Sequence, residues 1–515
     1  MRISSSGLVI GIALAIGLAA PSPASCQSLV IRDVAVIAPE RGETIAHQDV
    51  RIQGGRIVAI EPTRAGRRAD IELDGRGRFL SPGLIDSHVH LQTGTGLKRR
   101  YTQDFDALYA RFQRQQPRSF LYYGFTTVVE NNGDPTIDQL FQGAPEHPGL
   151  VTCGQAAVLS DDFMATDFDS AAEFHAAFPN FLHDRHRTPA LPDGIDPSRH
   201  TPAAVVAAIA DSGGRCVKLY YEEALWWPGE HRPEFGLPSA AIVREVVAQA
   251  HARNMTVLLH GTTPAAHQFG LDTGVDVMAH GVWDWPGAMF GWPDIPADVL
   301  ATADRVAASQ MRVQPTWMSI AGMASMFKPG LLDDPGYRKV LPPDYLAYLR
   351  GPGQQARADY LDRFGPFIAA AFARGEAASA HPAVIMETFQ KRYRTILQRQ
   401  HAAGARLLFG TDTSVGTPGW GNPPGLAGWW EIQAWSAAGI DPATVLRAAT
   451  IDNARAFGLA EEIGSVEVGK RADLLLLAGN PLHDIQAFDR IEKVILGGKV
   501  IERESLAASQ RPDSP

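Results

Sequence analysis

Five short stretches of the sequence carry side chains that can bind a metal ion. Imidazole nitrogens and carboxylate oxygens are ordinary ligands of divalent cations in proteins. A bound cation acidifies a coordinated water molecule and polarises a carbonyl group, so such a cluster can hydrolyse an amide or an ester. In chain order the candidate ligands are His88, His90, Lys218, His260, His280 and Asp412.

His88 and His90 lie two positions apart, just after the short apolar segment 83–86. Side chains at i and i+2 of a strand point to the same face, so both imidazoles can reach one ion. For an isolated pair of this kind, the alternative is one core histidine and one exposed histidine. The position at the end of a predicted strand favours the metal interpretation.

Lys218 lies within the apolar segment 216–220, where an unpaired ammonium group is costly to bury. Carbamylation by carbon dioxide would turn this side chain into an anionic ligand with two oxygens, which can bridge two divalent ions. The alternative is a lysine at the mouth of the strand, whose stem packs on apolar surface while its ammonium reaches solvent.

The other three candidates also follow apolar segments. His260 and His280 both precede a glycine, and their separation of 20 residues suffices for a strand–helix–strand step. Asp412 follows a further predicted strand, where a carboxylate could ligate a metal and accept a proton from a bound water. Taken singly, such histidines are more often core or capping residues, and the aspartate could cap the next helix. Together with the earlier three, they fall at predicted strand ends in one consistent order.

The elements that must position these residues alternate along the chain as strands and amphipathic helices. Eight short apolar strands separated by helices predict an α/β fold, a (β/α)8 TIM-like barrel. Such barrels place their sites at the C-terminal strand ends, where the candidates fall. The predicted strands are residues 83–86, 126–129, 150–153, 216–220, 256–260, 275–280, 312–316 and 406–410.

Both ends of the chain are strand-like, and neither end has enough strands for a sheet of its own. We therefore expect residues 27–82 and 458–505 to form one composite β-sandwich domain, with the barrel at 83–457 between them. Two long connections, 159–214 and 319–387, leave C-terminal strand ends. Four tryptophans form either an apolar lid or packing between loops, namely Trp226, Trp227, Trp283 and Trp285.

The N-terminus has the features of a secretory signal peptide, which we predict at residues 1–26. A positive start precedes the apolar run 8–20, and these 13 residues are too few to span a bilayer as a helix. We therefore expect a secreted or periplasmic protein. Cys26 offers a second interpretation, a bacterial lipid anchor, although Pro23 stands where such a site prefers an aliphatic residue.

Two further cysteines, Cys153 and Cys216, are too few for a disulfide framework. Cys216 lies two residues before Lys218, so the two side chains are expected on one strand face. We expect buried free thiols, with a bridge between the two cysteines as the alternative.

Charge and hydropathy argue against two classes of partner. The chain carries 47 basic and 56 acidic side chains, a net charge of −9, and has no run of Lys or Arg typical of a nucleic-acid face. After the N-terminal run, no stretch reaches the roughly 18 apolar residues of a membrane span. A small-molecule substrate is the expected partner, and a homo-oligomer is left open.

The ligand set and several other segments resemble those of the amidohydrolase superfamily. The resemblance extends over nearly the whole mature chain and is strongest to the imidazolonepropionase-related group. Lys218 points to the binuclear, prolidase-like branch of that group, which includes secreted Xaa-amino-acid dipeptidases and ochratoxin-type amide hydrolases. The inserted connections 159–214 and 319–387 differ from compact members. Further matching segments are 124–128, 446–450, 453–455 and 464–474.

The resemblance implies a site with two divalent metal ions bridged by a carbamylated lysine at position 218. We expect zinc because the shell is rich in histidine, with iron, manganese or cobalt as alternatives. In that pattern the more buried ion is held by His88, His90 and Asp412, and the second by His260 and His280.

The resemblance also implies a mechanism. A hydroxide shared by the ions would attack the scissile carbonyl, and Asp412 would take its proton and pass it to the leaving amine. Tyr220 shares strand parity with the lysine and would donate to the developing oxyanion, whereas Tyr221 would point away. Glu222 and Glu223 are expected to be loop charges rather than ligands.

The predicted function is a secreted, metal-dependent amidohydrolase that cleaves amide or peptide-like C–N bonds, such as a dipeptidase or an N-acyl amino-acid hydrolase. One alternative is a mononuclear cyclic-amide hydrolase of the imidazolonepropionase type, or a deaminase, which would not need Lys218 as a ligand. An alternative of another class is a non-catalytic binding protein on the same scaffold.

Overall fold

The computed structural model describes most of the chain. Trp226 and Trp227 lie outside the described residues, as does the predicted signal segment 1–26 with Cys26. Within the described part of the chain, no helix combines the length and the apolar character that a bilayer crossing requires. The described residues are 28–64, 68–168, 170–187, 191, 194–225, 234–285, 294–372, 382–414 and 419–510.

The strands fall into three groups along the chain. The first group is β1 (Leu29–Ala38), β2 (Glu43–Gln53), β3 (Arg56–Pro62), β4 (Ile71–Asp74) and β5 (Phe79–Pro82). The second is β6 (Leu84–Val89), β7 (Phe125–Glu130), β8 (Gly149–Thr152), β9 (Cys216–Tyr220), β10 (Thr256–His260), β11 (Val277–Ala279), β12 (Arg312–Gln314) and β13 (Arg406–Leu407). The third is β14 (Leu474–Leu477), β15 (Ile491–Leu496) and β16 (Lys499–Glu502).

The first and third groups join in one eight-stranded sheet. Its strand order is β16-β15-β14-β5-β1-β2-β3, with β4 paired to β1. The two chain ends meet where Leu80 of β5 pairs antiparallel with Leu476 of β14. Buried apolar side chains, among them Ile31, Leu474 and Ile495, form the core of this sheet. The prediction that both chain termini build one β-structure is therefore confirmed.

The second group forms eight parallel strands in barrel order. Strands β6–β8 make one sheet and β9–β13 a second. At one junction Arg215 N donates to the Thr152 carbonyl at 2.8 Å, which joins β8 to β9. At the other, Ser87 N donates to the Phe409 carbonyl at 3.1 Å, beside the end of β13. Hydrogen bonds thus link the sheets at both edges, as the predicted (β/α)8 barrel requires.

Helices connect the barrel strands. Ser239 Oγ accepts from Ile242 N at 3.2 Å and caps one of them. The helices are α1 (Phe105–Tyr122), α2 (Pro135–Gln142), α3 (Ala171–Ala177), α4 (Pro202–Asp211), α5 (Ala240–His251), α6 (Pro264–Thr273), α7 (Ala297–Ala307), α8 (Trp317–Ser325), α9 (Tyr337–Val340), α10 (Pro343–Arg350), α11 (Gly353–Phe372), α12 (Pro382–Ala402), α13 (Leu426–Ala437), α14 (Pro442–Arg447) and α15 (Asn453–Ala456). The long connection after β12 is therefore largely helical.

A buried asparagine ties the first barrel strand to the last. The Asn453 side-chain amide donates to the carbonyl oxygens of Ile85 at 2.9 Å and Phe409 at 2.8 Å. Nearby, Asp86 accepts from both the backbone and the hydroxyl of Thr411, at 3.0 and 2.7 Å. Since the first and last candidate ligands follow these strands, the bonds hold the two ends of the ligand set together.

Trp285, one of the described tryptophans, is buried in a small apolar cluster. Trp285 is 5% exposed and lies in an apolar cluster with Val282, Val299 and Ile396. Trp283 is partly buried against the main core. Trp285 therefore packs its loop against helices α7 and α12.

The structure joins Cys153 and Cys216 in a disulfide, so the expectation of free thiols is wrong. The hydrogen bond between Arg215 and Thr152 holds the end of β8 beside the start of β9. The next residue of each segment is a cysteine, and their Cα atoms lie 4.3 Å apart. The bridge therefore reinforces the junction between the two sheets of the barrel.

Reduction of this bridge, or the Cys216→Ser substitution, should lower the free energy of unfolding by up to about 4 kcal/mol. The physical reason is that a cross-link between positions 63 residues apart restricts the unfolded chain. Urea unfolding of the oxidised, reduced and substituted proteins measures the effect, and peptide mapping without reduction identifies the bridge. A map in which both cysteines take up an alkylating label before reduction would contradict the assignment.

Candidate metal centre

The structure brings all six candidate ligands to the C-terminal end of the barrel. Parallel strands end on one rim, so residues at these positions meet although they lie far apart in sequence. His88 lies in β6, His90 just after it, Lys218 in β9, His260 at the end of β10, His280 just after β11 and Asp412 beyond β13.

His88, His90 and Asp412 form the tightest group. Asp412 Oδ1 lies 3.1 Å from His90 Nε2 and 3.3 Å from His88 Nε2. One ligand atom from each residue can be chosen so that all three lie within 4.8 Å of one another. His88 is fully buried and Asp412 is 7% exposed. The group is therefore close enough to hold one ion.

Lys218 points into the same cluster. Its Nζ lies 3.2 Å from His88 Nε2, and the residue is 1% exposed. The alternative of a lysine whose ammonium reaches solvent therefore does not describe this side chain. Burial lowers the pKa of Lys218 to about 8, against the attraction of Asp412 and Glu130.

His260 and His280 extend the cluster away from His88. The ring centroids of His260 and His280 lie 4.5 Å apart, and those of His88 and His280 lie 5.2 Å apart. The Oδ2 atom of Asp412 lies 4.0 Å from His280 Nδ1. The four imidazoles thus form a continuous row from His90 to His260.

Two of these imidazoles have their tautomer set by neutral acceptors. His88 Nδ1 lies 3.2 Å from Gln314 Oε1, whose own amide nitrogen donates to a neighbouring serine. His280 Nδ1 lies 2.7 Å from Thr316 Oγ1, whose hydroxyl donates to the preceding carbonyl. The hydrogens of the Gln314 amide and the Thr316 hydroxyl are donated to other acceptors. The two oxygens can therefore only accept from the rings, so Nδ1 of each ring carries the proton. The Nε2 lone pair of each ring is therefore left for a metal.

The other two imidazoles contact buried carboxylates. His90 Nδ1 lies 3.5 Å from Glu130 Oε1, and His260 Nε2 lies 2.8 Å from Glu222 Oε2. A ring nitrogen beside a carboxylate carries a proton, so His260 offers Nδ1. His90 lies between two carboxylates, since its Nε2 is 3.1 Å from Asp412 Oδ1, and a metal ion would take the place of the Nε2 proton. Anchoring of one ring nitrogen, with the other left for an ion, is typical of metal-ligating histidines. The residues present therefore fit divalent metal ions.

Electrostatics keeps two of the rings neutral. Burial, followed by the charges of Lys218 and the neighbouring histidines, holds the pKa of His88 well below its ordinary value. Burial and the nearby His260 have the same effect on the pKa of His280. Burial also opposes the charged form of His90, yet hydrogen bonds to two carboxylates outweigh it and raise the pKa of His90 to about 9. Neutral imidazole is the form that binds a metal, so an ion at His90 would displace the proton that this ring shares with Asp412.

Two of the candidate ligands adopt a backbone conformation that is rare outside glycine. The φ angle is +88° at His280 and +59° at Asp412. In this left-handed region the side chain crowds its own backbone, at a cost of about 1–3 kcal/mol for each residue. Such strain persists where the surrounding structure imposes it, and it clusters at functional sites. Here it turns the chain at strand ends that carry candidate ligands.

The two tyrosines after Lys218 separate as strand alternation predicts. The Tyr220 ring centroid lies 5.2 Å from that of His260, and 5.7 Å from Lys218 Nζ. The Tyr221 ring instead packs against Phe269 at 4.5 Å. Tyr220 therefore borders the cluster, and Tyr221 faces the surrounding helices.

Glu222 is not the loop charge that the sequence led us to expect. It is 3% exposed and contacts His260, whereas Glu223 is half-buried and accepts a hydrogen bond from Thr263 Oγ1. Sequence reasoning also missed Glu130, although a charged residue at the end of the apolar strand β7 is a signal of the kind that marked the other candidates.

Comparison with known sequences gives matches that cover only short parts of the chain. Residues 380–501 match the model of the amidohydrolase family. An adenine deaminase from Desulfatibacillum aliphaticivorans is 42% identical over 65 residues, which cover 13% of this chain and 10% of that protein. An imidazolonepropionase from Shouchella clausii is 41% identical over 65 residues, which cover 12% and 14%. The chain thus matches only a small part of the length of these curated relatives.

Comparison with solved structures covers far more of the chain. A Xaa-Pro dipeptidase with bound methionine in its active site has a TM-score of 0.60 at 18% identity, with 92% of this chain and 100% of that chain covered. The ochratoxinase of A. niger has a TM-score of 0.60 at 17% identity, with 93% and 96% covered. The molinate hydrolase has a TM-score of 0.61 at 18% identity, with 95% and 98% covered.

At these identities the solved structures show a shared fold. The family match includes three of the four segments that resemble the superfamily in sequence, 446–450, 453–455 and 464–474. The resemblance to the amidohydrolase superfamily is therefore confirmed in sequence over residues 380–501. Over nearly the whole chain, the solved structures show the shared fold.

Proposed function

We propose that this protein is a binuclear, metal-dependent hydrolase that cleaves amide or peptide-like C–N bonds in small molecules. The position of Lys218 carries the proposal, because its buried Nζ lies 3.2 Å from His88 Nε2, inside the row of histidines. A site with a single ion would not need this lysine as a ligand. A carbamylated lysine supplies the anionic, two-oxygen bridge that a pair of ions needs.

Two divalent ions would share the cluster, and the histidine-rich shell favours zinc. When bound, they would supply Lewis acidity toward the scissile carbonyl and a water molecule acidified to a near-neutral pKa. The inner ion would be held by His88, His90 and Asp412, and the outer one by His260 and His280.

Lys218 would serve as a ligand only after modification. A neutral Nζ amine adds to carbon dioxide, forming an N–C bond and releasing one proton, which leaves a carbamate with one negative charge. Burial, which lowers the pKa of Lys218 to about 8, makes the neutral amine accessible near physiological pH. The resulting charge would offset the two cations at the point where they are closest.

Asp412 and Tyr220 would act on the reacting groups. Asp412 Oδ1 lies between two histidine nitrogens, and its Oδ2 extends toward His280. From there the carboxylate would accept the proton of the attacking water and return it to the leaving amine. The Tyr220 hydroxyl would donate a hydrogen bond to the carbonyl oxygen as negative charge develops on it.

Dipeptides and N-acyl amino acids are the substrates we propose to test first. The shared fold of a Xaa-Pro dipeptidase and an ochratoxinase supports amide substrates. The predicted signal segment 1–26 supports action outside the cytoplasm. The short matches to an adenine deaminase and an imidazolonepropionase keep a cyclic-amide hydrolase or deaminase as the competing hypothesis.

Metal analysis separates the two-ion site from a one-ion site. We expect the zinc-loaded protein to bind two ions and Lys218→Ala to lose both, because the ions would share the carbamate and would repel each other without it. The matched control is Lys339→Ala, since Lys339 pairs with Glu504 at the surface, 2.7 Å away. Elemental analysis after gel filtration gives the stoichiometry. A Lys218→Ala protein that keeps one ion and full activity would show that the site is mononuclear.

Substrate profiling tests the reaction class. We expect the zinc- or manganese-loaded protein to release free amino acids from a panel of dipeptides and N-acyl amino acids, and Asp412→Asn to reduce kcat by at least about 100-fold, since proton transfer contributes roughly that much. Turnover confined to cyclic amides or aminopurines would favour the competing hypothesis. Inactivity toward amides, esters and phosphotriesters alike would favour a non-catalytic binding protein.

A further inference from the structure

We propose that Glu222 is a positioning residue whose carboxylate fixes the tautomer and orientation of His260, so that this imidazole binds the outer metal ion through Nδ1. The inference rests on the proposed function, because it requires an ion at His260. It extends that function by giving a role to a carboxylate outside the predicted ligand set.

Glu222 is buried in the loop that follows strand β9. The residue lies two positions beyond Tyr220, the last residue of the strand, and is 3% exposed. The next residues turn sharply, since Ala224 has a φ of +44°. A carboxylate this deeply buried is stable only if hydrogen bonds or opposite charge replace the water it has lost.

Both oxygens of Glu222 have such partners. Oε1 accepts from the backbone N–H of Ala224 at 2.5 Å. Oε2 lies 2.8 Å from His260 Nε2 and accepts from Thr262 Oγ1 at 3.4 Å. The backbone contact holds the carboxylate in place, and its second oxygen is thereby directed at the histidine ring.

The contact determines which nitrogen of His260 can bind a metal. With the Nε2–H donated to Glu222, the only lone pair in the plane of the ring is on Nδ1. His280 has the opposite arrangement, because its Nδ1 is held by Thr316 and its Nε2 is open. The two adjacent histidines therefore offer different nitrogens, and the carboxylate behind His260 makes its ring a stronger donor to the ion.

The neighbouring Glu223 provides a matched control. It has the same charge and lies one position further along, yet its carboxylate accepts from Thr263 Oγ1. The two carboxylates thus have different partners although the residues are adjacent in the chain: Glu222 contacts a histidine and Glu223 contacts a threonine. A loss of negative charge alone would affect both positions, whereas a positioning role belongs to Glu222.

The experiment measures metal binding rather than turnover. Wild-type protein and the variants Glu222→Gln, Glu222→Ala and Glu223→Gln are stripped of metal and titrated with Zn²⁺ against a chromophoric chelator, and their Co²⁺ forms are recorded by visible absorption. We expect Glu222→Ala to weaken the outer site about 10- to 100-fold, to leave the inner site unchanged and to alter the cobalt bands of the outer ion.

The two other variants sharpen the result. Glu222→Gln should fall between wild type and Glu222→Ala, because an amide oxygen still accepts from Nε2–H but brings no charge. Glu223→Gln should match wild type. Thermal unfolding of the metal-free proteins shows whether each variant is folded, and the isosteric Glu222→Gln keeps the test valid if the alanine variant is not.

Two outcomes would overturn the inference. If wild type binds two ions while both Glu222 variants match its affinities and cobalt spectrum, the positioning role is wrong and the proposed function stands. If wild type itself binds fewer than two ions, the binuclear function fails and the role of Glu222 fails with it.

Discussion

Mutual repulsion among closely packed imidazoles and a lysine is the constraint on which the rest of the site depends. Buried charges of one sign cannot share so small a space unless they are neutralised or paired. The imidazoles of His88 and His280 are kept neutral, since burial and like charges hold their pKa values well below 6.5. The charge of His90 is instead paired, by a carboxylate on either side of its ring. The outer ring nitrogens of His88, His90 and His280 have hydrogen-bond partners, and the Nε2 atoms of His88 and His90 both lie close to Asp412 Oδ1, where a cation would be stabilised.

The barrel supplies these partners because consecutive strands end on one rim. Residues at the ends of strands or just beyond them, such as Gln314 and Thr316 around the end of β12, reach histidines of other strands. The terminal sheet contributes as well, since Gly83 N donates to the Asp473 carbonyl at 2.9 Å where β5 passes into β6. The first ligand strand is thus anchored to the sheet, and positive φ angles at the far ends of other strands complete the convergence.

Much of this arrangement is visible in the sequence because the signals are local. Each ligand follows a short apolar run, and eight such runs in order predict a barrel. The role of Glu222 is not local, because a glutamate after a strand has the same sequence signature whether it meets solvent or a histidine on the next strand. The pairing of Cys153 with Cys216 likewise depends on β8 lying beside β9, 63 residues later. Strand β13, expected over 406–410, ends at Leu407, because the chain leaves regular pairing before it reaches Asp412.

The terminal sheet has a consequence for how the chain is made. Strand β5 pairs with β14, for example at Leu80 and Leu476. During synthesis the edge of β5 therefore stays unpaired until β14 has been made. Contacts between such distant positions close slowly, and an uncovered strand edge is prone to pair with other chains. The barrel can assemble while the sheet is still half-built, since all its strands precede β14. The last strands are therefore also the last part of the sheet to be synthesised, and a chain without β14–β16 would leave the edge of β5 unpaired.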